Sequence, residues 1–151
     1  NNADPQDSKH LAVYATARSS TTNSGFIGVP VILSGGSWLI FSSSPTAPLL
    51  VRLNASSSSG DISEASVPAS NVLLGGNRSS STVQQVIAGG SIVSYTQASS
   101  APASQNIHVF KGASTVLNTS RLAFYSIGES LDLALLDTRV SNLITAIGGA
   151  I

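Results

Sequence analysis

Residues 121–149 read RLAFYSIGESLDLALLDTRVSNLITAIGG, and the spacing of apolar positions changes inside this stretch. Arg121 to Ile127 has the period of two that sends successive side chains to opposite faces of a strand. After Gly128 the period becomes about 3.6: Leu133, Leu136, Val140, Leu143, Ile144 and Ile147 share one face, opposite Thr138, Arg139, Ser141, Asn142 and Thr145. A strand followed by an amphipathic helix over residues 129–148 is therefore expected. Ser130 or Asp132 can cap its first turn, Glu129 and Asp132 suit the positive end of its dipole, and Gly148-Gly149 can end it. Six large aliphatic side chains on one stripe must be covered, by the chain's own sheet, a neighbouring domain or an oligomer interface.

Upstream, short apolar runs separated by Gly, Ser, Pro and Asn recur every 8 to 12 residues or so, the rhythm of a β-sandwich or barrel. In residues 10–18, Leu11, Val13, Ala15 and Ala17 fall on one face and Tyr14, Thr16 and Arg18 on the other. Further strands are expected at 25–33, 37–42, 48–54, 71–75, 82–88, 91–97 and 106–111, making nine with 10–18 and 121–127. Pro30 implies an edge or a bulge in the second run. Gly35-Gly36, Gly75-Gly76 and Gly89-Gly90 read as turns, the last as a two-residue hairpin. Ser56–Gly60 and Ser99–Ser104 read as exposed loops. The fold class expected is all-β with one C-terminal amphipathic α-helix.

A chain of 151 residues suits one domain with a full core. Residues 1–9 read as an extended N-terminal segment of it. Cysteine is absent, so thiol catalysis, thiolate metal sites and disulfides are excluded. Seven basic residues balance seven acidic ones without a Lys/Arg cluster, which argues against nucleic acid as a partner. Charged residues make up 9% of the chain, while 29 Ser and 10 Thr supply most of its polar groups, a composition at home on extracellular and virion proteins. No apolar run reaches the roughly 18 to 20 residues that a bilayer span needs, so membrane insertion is not expected. Asn1–Asp7 lack the basic start and apolar centre of a signal peptide. A first residue of Asn rather than Met suggests a piece of a longer or processed protein.

The stretch Arg121 to Arg139, with Val140 to Ile151 behind it, resembles the end of concanavalin-A-like, laminin-G-like jelly-roll domains in phage tail-fibre and other tail or virion proteins. Two earlier pieces are similar to the same pattern: residues 10–14, HLAVY, and residues 73–80, LLGGNRSS, in the place of the family's Gly-x-x-Arg-Ser strand-turn. The agreement is specific over residues 106–151 and loose elsewhere. The resemblance implies a two-sheet antiparallel jelly-roll sandwich, virion or extracellular localisation, other virion proteins as partners, a homo-oligomer and binding of host cell-surface glycan. Longer relatives carry a Tyr-Asp-Gln-Ser-Gly type motif in an additional N-terminal part, which nothing here matches.

Three functions follow: a non-catalytic module for adhesion or carbohydrate binding, a structural capsid-decoration or tail-assembly protein, and a polysaccharide-degrading glycosidase. Sugar rings stack on aromatic faces flanked by planar polar groups, which singles out Trp38, Arg52, Arg78 and Tyr95. Trp38 precedes Leu39, Ile40 and Phe41, a run that points to a core position, and Arg78 lies in a turn-like stretch where exposure is expected. A glycosidase needs two facing carboxylates. Glu64 and Glu129 are the only Glu, and Asp61/Glu64 and Asp4/Asp7 are close acidic pairs. Their spacing does not place two acids on one strand face. His10 and His108 could serve a Ser-His-acid triad, but no Gly-x-Ser-x-Gly elbow occurs, and His108 lies between Ile107 and Val109 on the outer face of its strand. No catalytic residues, metal ligands or cofactor are assigned. Asn54, Asn77 and Asn118 begin glycan-acceptor triplets of the kind a Ser-rich chain produces by chance.

Overall fold

The computed structural model describes residues 5–18, 25–29, 36–41, 49–55, 62–64, 67–68, 70–111 and 117–149, with the backbone alone at 38–41 and 62–64. Among them are β1 (Lys9–Ala17), β2 (Gly25–Gly28), β3 (Gly36–Phe41), β4 (Leu49–Ala55), β5 (Ile62–Glu64), β6 (Val72–Arg78), β7 (Val83–Ala88), β8 (Ser91–Thr96), β9 (His108–Val109), β10 (Arg121–Gly128) and α1 (Leu133–Gly148). Two five-stranded antiparallel sheets result, ordered β10-β1-β6-β7-β8 and β5-β4-β3-β2-β9.

The main core lies between the sheets. Leu11, Val13 and Ala15 of β1, Val72 and Leu74 of β6, and Val86 and Ala88 of β7 meet Phe26 and Ile27 of β2 and Leu49, Val51 and Leu53 of β4. A second, smaller core forms on the opposite face of the first sheet. There Ala12 and Tyr14 of β1, Leu73 of β6 and Ile87 of β7 pack against Leu133 and Val140 of α1. The period-two pattern of β1 thus has apolar residues on both faces because both faces are covered, one by a sheet and one by the helix. Each large aliphatic side chain buried this way contributes about 1.5–3 kcal/mol. The helix stripe is thereby partnered within the chain, with Leu136 and Ile144 half-buried beside Leu133 and Val140. Leu143 and Ile147, expected on the same buried stripe, stay half-exposed at its margin.

The helix starts at Leu133, where the apolar stripe begins, rather than at the expected residue 129. Asp132 is the N-cap, accepting a hydrogen bond from the Leu135 N–H at 3.0 Å, and Gly149 closes the other end. Among the described residues no helix is long and apolar enough to cross a membrane.

Several expected elements change. Gly75-Gly76 is not a turn but the middle of β6, buried between β1 and β7. A Cβ on Gly75 would come 2.9 Å from the Leu11 carbonyl oxygen, and one on Gly76 2.5 Å from Cγ1 of Val51 in the other sheet. These glycines are required by close packing, not by a bend. Gly89-Gly90 is the expected hairpin, with both residues at positive φ, 61° and 83°. The second run ends as a strand at Gly28, and Pro30 lies outside the described residues. So do Gly35 and Ser56–Gly60. Strand β5, three residues long, was too short to show a pattern.

Candidate functional site

The four residues singled out as ligand contacts do not come together on the surface. Trp38 is paired with Arg52 across β3 and β4, and its side chain lies outside the description. Tyr95 is half-buried against the inter-sheet core. Arg52 and Arg78 are fully buried. The expectation of an exposed turn arginine at position 78 is corrected, because residue 78 ends a central strand whose face meets the second sheet.

Arg78 bridges the sheets. Its Nε donates to the Leu53 carbonyl of β4 at 2.7 Å, Nη1 to the carbonyls of Gln97 at 2.7 Å and Ser80 at 3.3 Å, and Nη2 to Oε1 of Gln84 at 3.3 Å. Gln84 in turn donates to the Val51 carbonyl at 3.3 Å. Burial pulls the Arg78 guanidinium below its ordinary range, and the Asp7 carboxylate offsets part of this. Beside it Asn54, at φ 48°, accepts from the Ser37 hydroxyl at 2.8 Å and from Nζ of Lys9 at 3.5 Å, and donates to the carbonyls of Pro5 and Gln6 at 3.1 Å. These polar side chains tie β4, β6 and the N-terminal segment together, and their fork-like geometry serves packing.

His10 and His108 also separate. His108 is half-buried on β9. His10 is buried, with Nδ1 2.6 Å from the Glu129 carbonyl oxygen and Nε2 2.7 Å from the Ser126 hydroxyl. A carbonyl only accepts, so Nδ1 carries the proton and Nε2 accepts from Ser126. Burial lowers the His10 pKa, opposed by the hydrogen bonds at Glu129 and Gly128, so the ring is held neutral. The imidazole fastens β1 to β10 and to the approach to α1, where Leu131 N–H also donates to Oδ1 of Asn77 at 3.0 Å. A carboxylate behind the ring, which the triad reading requires, is replaced by a main-chain carbonyl.

Of the acidic pairs, only Asp7 has a described side chain. Asp4, Asp61 and the Glu64 side chain lie outside the described residues, and the Asp7 carboxylate accepts from the Ser99 hydroxyl. Among the described residues no three His, Cys, Asp or Glu side chains gather. Asn54, Asn77 and Asn118 are all buried, so none presents its amide as a glycan acceptor.

A different residue stands out. Phe110, just after β9, has φ 63° and is 41% exposed. The other described non-glycine residues at positive φ are Asn54 and Asn71, a residue type that tolerates the left-handed region, whereas a bulky aromatic there is strained by about 1–3 kcal/mol. Both of its backbone groups are held: Phe110 N–H donates to the Phe26 carbonyl at 2.8 Å, and its carbonyl accepts from Asn118 N–H at 2.9 Å. The neighbouring Lys111 bridges to Leu117, which is largely exposed. Ile107 and Val109 anchor the segment on the inter-sheet core. Asn118 is buried; its Oδ1 accepts from Ser120 N–H at 2.7 Å, but its Nδ2 has no hydrogen-bond partner among the described residues. Phe110 is thus tied through its carbonyl to a residue whose buried side-chain nitrogen has no partner among the described residues. The sequence signal was the parity that set Ile107 and Val109 inward, which also turns Phe110 outward with His108; reading 106–111 as one strand hid it. The left-handed residue instead ends β9 after Val109.

No protein-family model matches the chain, and neither a curated protein nor a solved structure is similar to it.

Proposed function

We propose that the chain is a non-catalytic jelly-roll module, virion-borne or extracellular, that binds cell-surface carbohydrate through the face of Phe110. The observation carrying this reading is an exposed aromatic residue whose backbone is held in the left-handed region by two main-chain hydrogen bonds. A held backbone lowers the conformational freedom lost on binding, and the apolar face of a pyranose stacks on an exposed aromatic ring. Next to Phe110 in sequence, Lys111 forms a backbone bridge to the largely exposed Leu117. The histidine and two candidate arginines support the same reading from the other side, since all three are engaged inside the fold. Placement in a larger virion protein rests on the resemblance of residues 106–151 to tail-fibre jelly rolls.

The test is an array of bacterial and eukaryotic surface glycans probed with the wild-type protein and with Phe110→Ala. Binding to a subset of glycans that the variant loses, with unchanged circular dichroism, is the expected result. Absence of wild-type binding, or new reducing ends released from a bound polysaccharide, overturns the reading.

A further inference from the structure

Lys9 is 1% exposed and Asn54 is fully buried, and the two meet from opposite sheets: Nζ of Lys9 on β1 lies 3.5 Å from Oδ1 of Asn54 on β4. The orientation of the amide follows from its partners. Nδ2 donates to two main-chain acceptors, the carbonyls of Pro5 and Gln6, and Oδ1 receives the Ser37 hydroxyl at 2.8 Å, so the carbonyl side faces the lysine. Ser37 is itself fully buried, and its oxygen accepts from the Asn54 N–H at 3.0 Å. An amine, an amide carbonyl and a hydroxyl donor are thus held together inside the sandwich.

The surroundings suit attack by the amine. In the β1–β6 register Lys9 stands opposite Arg78, a second fully buried cation. A lysine taken out of water beside another cation is activated as a nucleophile, because its free amine carries no charge. A hydroxyl bonded to the amide oxygen stabilises the negative charge that develops there as a nitrogen adds to the adjacent carbon. Two packed sheets hold the reactants close, so the step is intramolecular. The Asp7 carboxylate borders the same network: it accepts from the Ser99 hydroxyl, its charge reaches Arg78, and the next residue, Ser100, donates its N–H to the Asn54 carbonyl at 2.7 Å.

We propose that Lys9 and Asn54 condense into an intramolecular isopeptide bond that ties β1 to β4 across the sandwich. The lysine ammonium first gives up one proton, through Asp7 to solvent. The Nζ lone pair then adds to Cγ of Asn54, the Cγ–Nδ2 bond breaks, and a second proton moves from Nζ to Nδ2, which leaves as ammonia. Amine and primary amide become a secondary amide and ammonia, and nothing is oxidised or reduced. The product is a covalent link between the sheets in a chain that has no cysteine, and reducing agents leave it intact.

The experiment is intact-mass spectrometry of the purified 151-residue chain after denaturation, followed by tryptic mapping. The wild-type mass should fall below that of the sequence by one ammonia. An acylated Lys9 resists trypsin, so the map should show the residues up to Arg18, uncut after Lys9, joined as one branched peptide to residues 53–78. Lys9→Arg should restore the full sequence mass, whether or not that variant folds. A wild-type chain at full mass, an ammonia loss placed elsewhere by fragmentation, cleavage of the wild type after Lys9, or a loss that persists in Lys9→Arg each overturns the proposal. The measurement involves neither Phe110 nor a glycan, so it stands or falls apart from carbohydrate binding.

Discussion

Replacing Arg78 with Met tests whether a buried guanidinium joins the two sheets. Met keeps much of the side-chain volume and flexibility, so the loss is confined to the hydrogen bonds. Two of these are short charge-assisted bonds, to the carbonyls of Leu53 and Gln97 at 2.7 Å, and two longer contacts reach Ser80 and Gln84 at 3.3 Å. Each buried carbonyl left without a donor costs about 1–3 kcal/mol, while removal of the buried charge returns part of the desolvation penalty. The expected net destabilisation is about 3 kcal/mol, which for a domain of this size lowers the thermal midpoint by about 6–12 °C. Calorimetry or urea unfolding monitored by tryptophan fluorescence measures it directly. Arg78→Lys should fall between wild type and Met, because an ammonium cannot fork to carbonyls on three sides. A loss below 1 kcal/mol, or a more stable Met variant, would show that the arginine is not the bridge between β6 and β4.

Gly76→Ala should destabilise by about 1–3 kcal/mol in urea melts, since its Cβ would meet the stiff Val51 side chain across the sheets. Leu133→Ala, in the buried helix contact, should cost about 2–5 kcal/mol, whereas Leu135→Ala, half-exposed on the same helix, should stay within about 0.5 kcal/mol of wild type. His10 is a base whose folded pKa lies below 6.5, so the unfolded chain binds more protons than the folded one as the pH drops under 6.5. Its contribution is complete above that pH and is lost as the pH falls toward the folded value; thermal melts between pH 7.5 and 5 should show this loss, and His10→Gln should flatten the slope.

Much of the fold was legible because long patterns average over local exceptions. The 3.6-residue spacing from Leu133 to Ile147 located the helix, and the Gly89-Gly90 pair located its hairpin. Where the reading failed, a residue type had two physical uses. Gly75-Gly76 looked like a turn because glycine tolerates unusual backbone angles, but here the absent Cβ admits Val51 and the Leu11 carbonyl. Arg78 looked exposed because arginines usually are; its burial depends on carbonyls of Leu53 and Gln97 brought in from elsewhere in the chain. That the helix stripe would be covered was readable, but not by what, since the covering residues Ala12, Tyr14, Leu73 and Ile87 come from three strands. Phe110 escaped notice because its importance lies in one dihedral angle.

The most direct measurement is a ¹H–¹⁵N NMR titration of the protein with fragments of a surface polysaccharide that it retains on the array. Binding through Phe110 predicts amide shift changes concentrated at Ile107–Lys111 and at Leu117–Asn118, with the Phe110 and Lys111 amides moving most and the Phe110→Ala spectrum unresponsive. Changes confined to other surfaces, or a Phe110→Ala variant that titrates like wild type, would contradict the account.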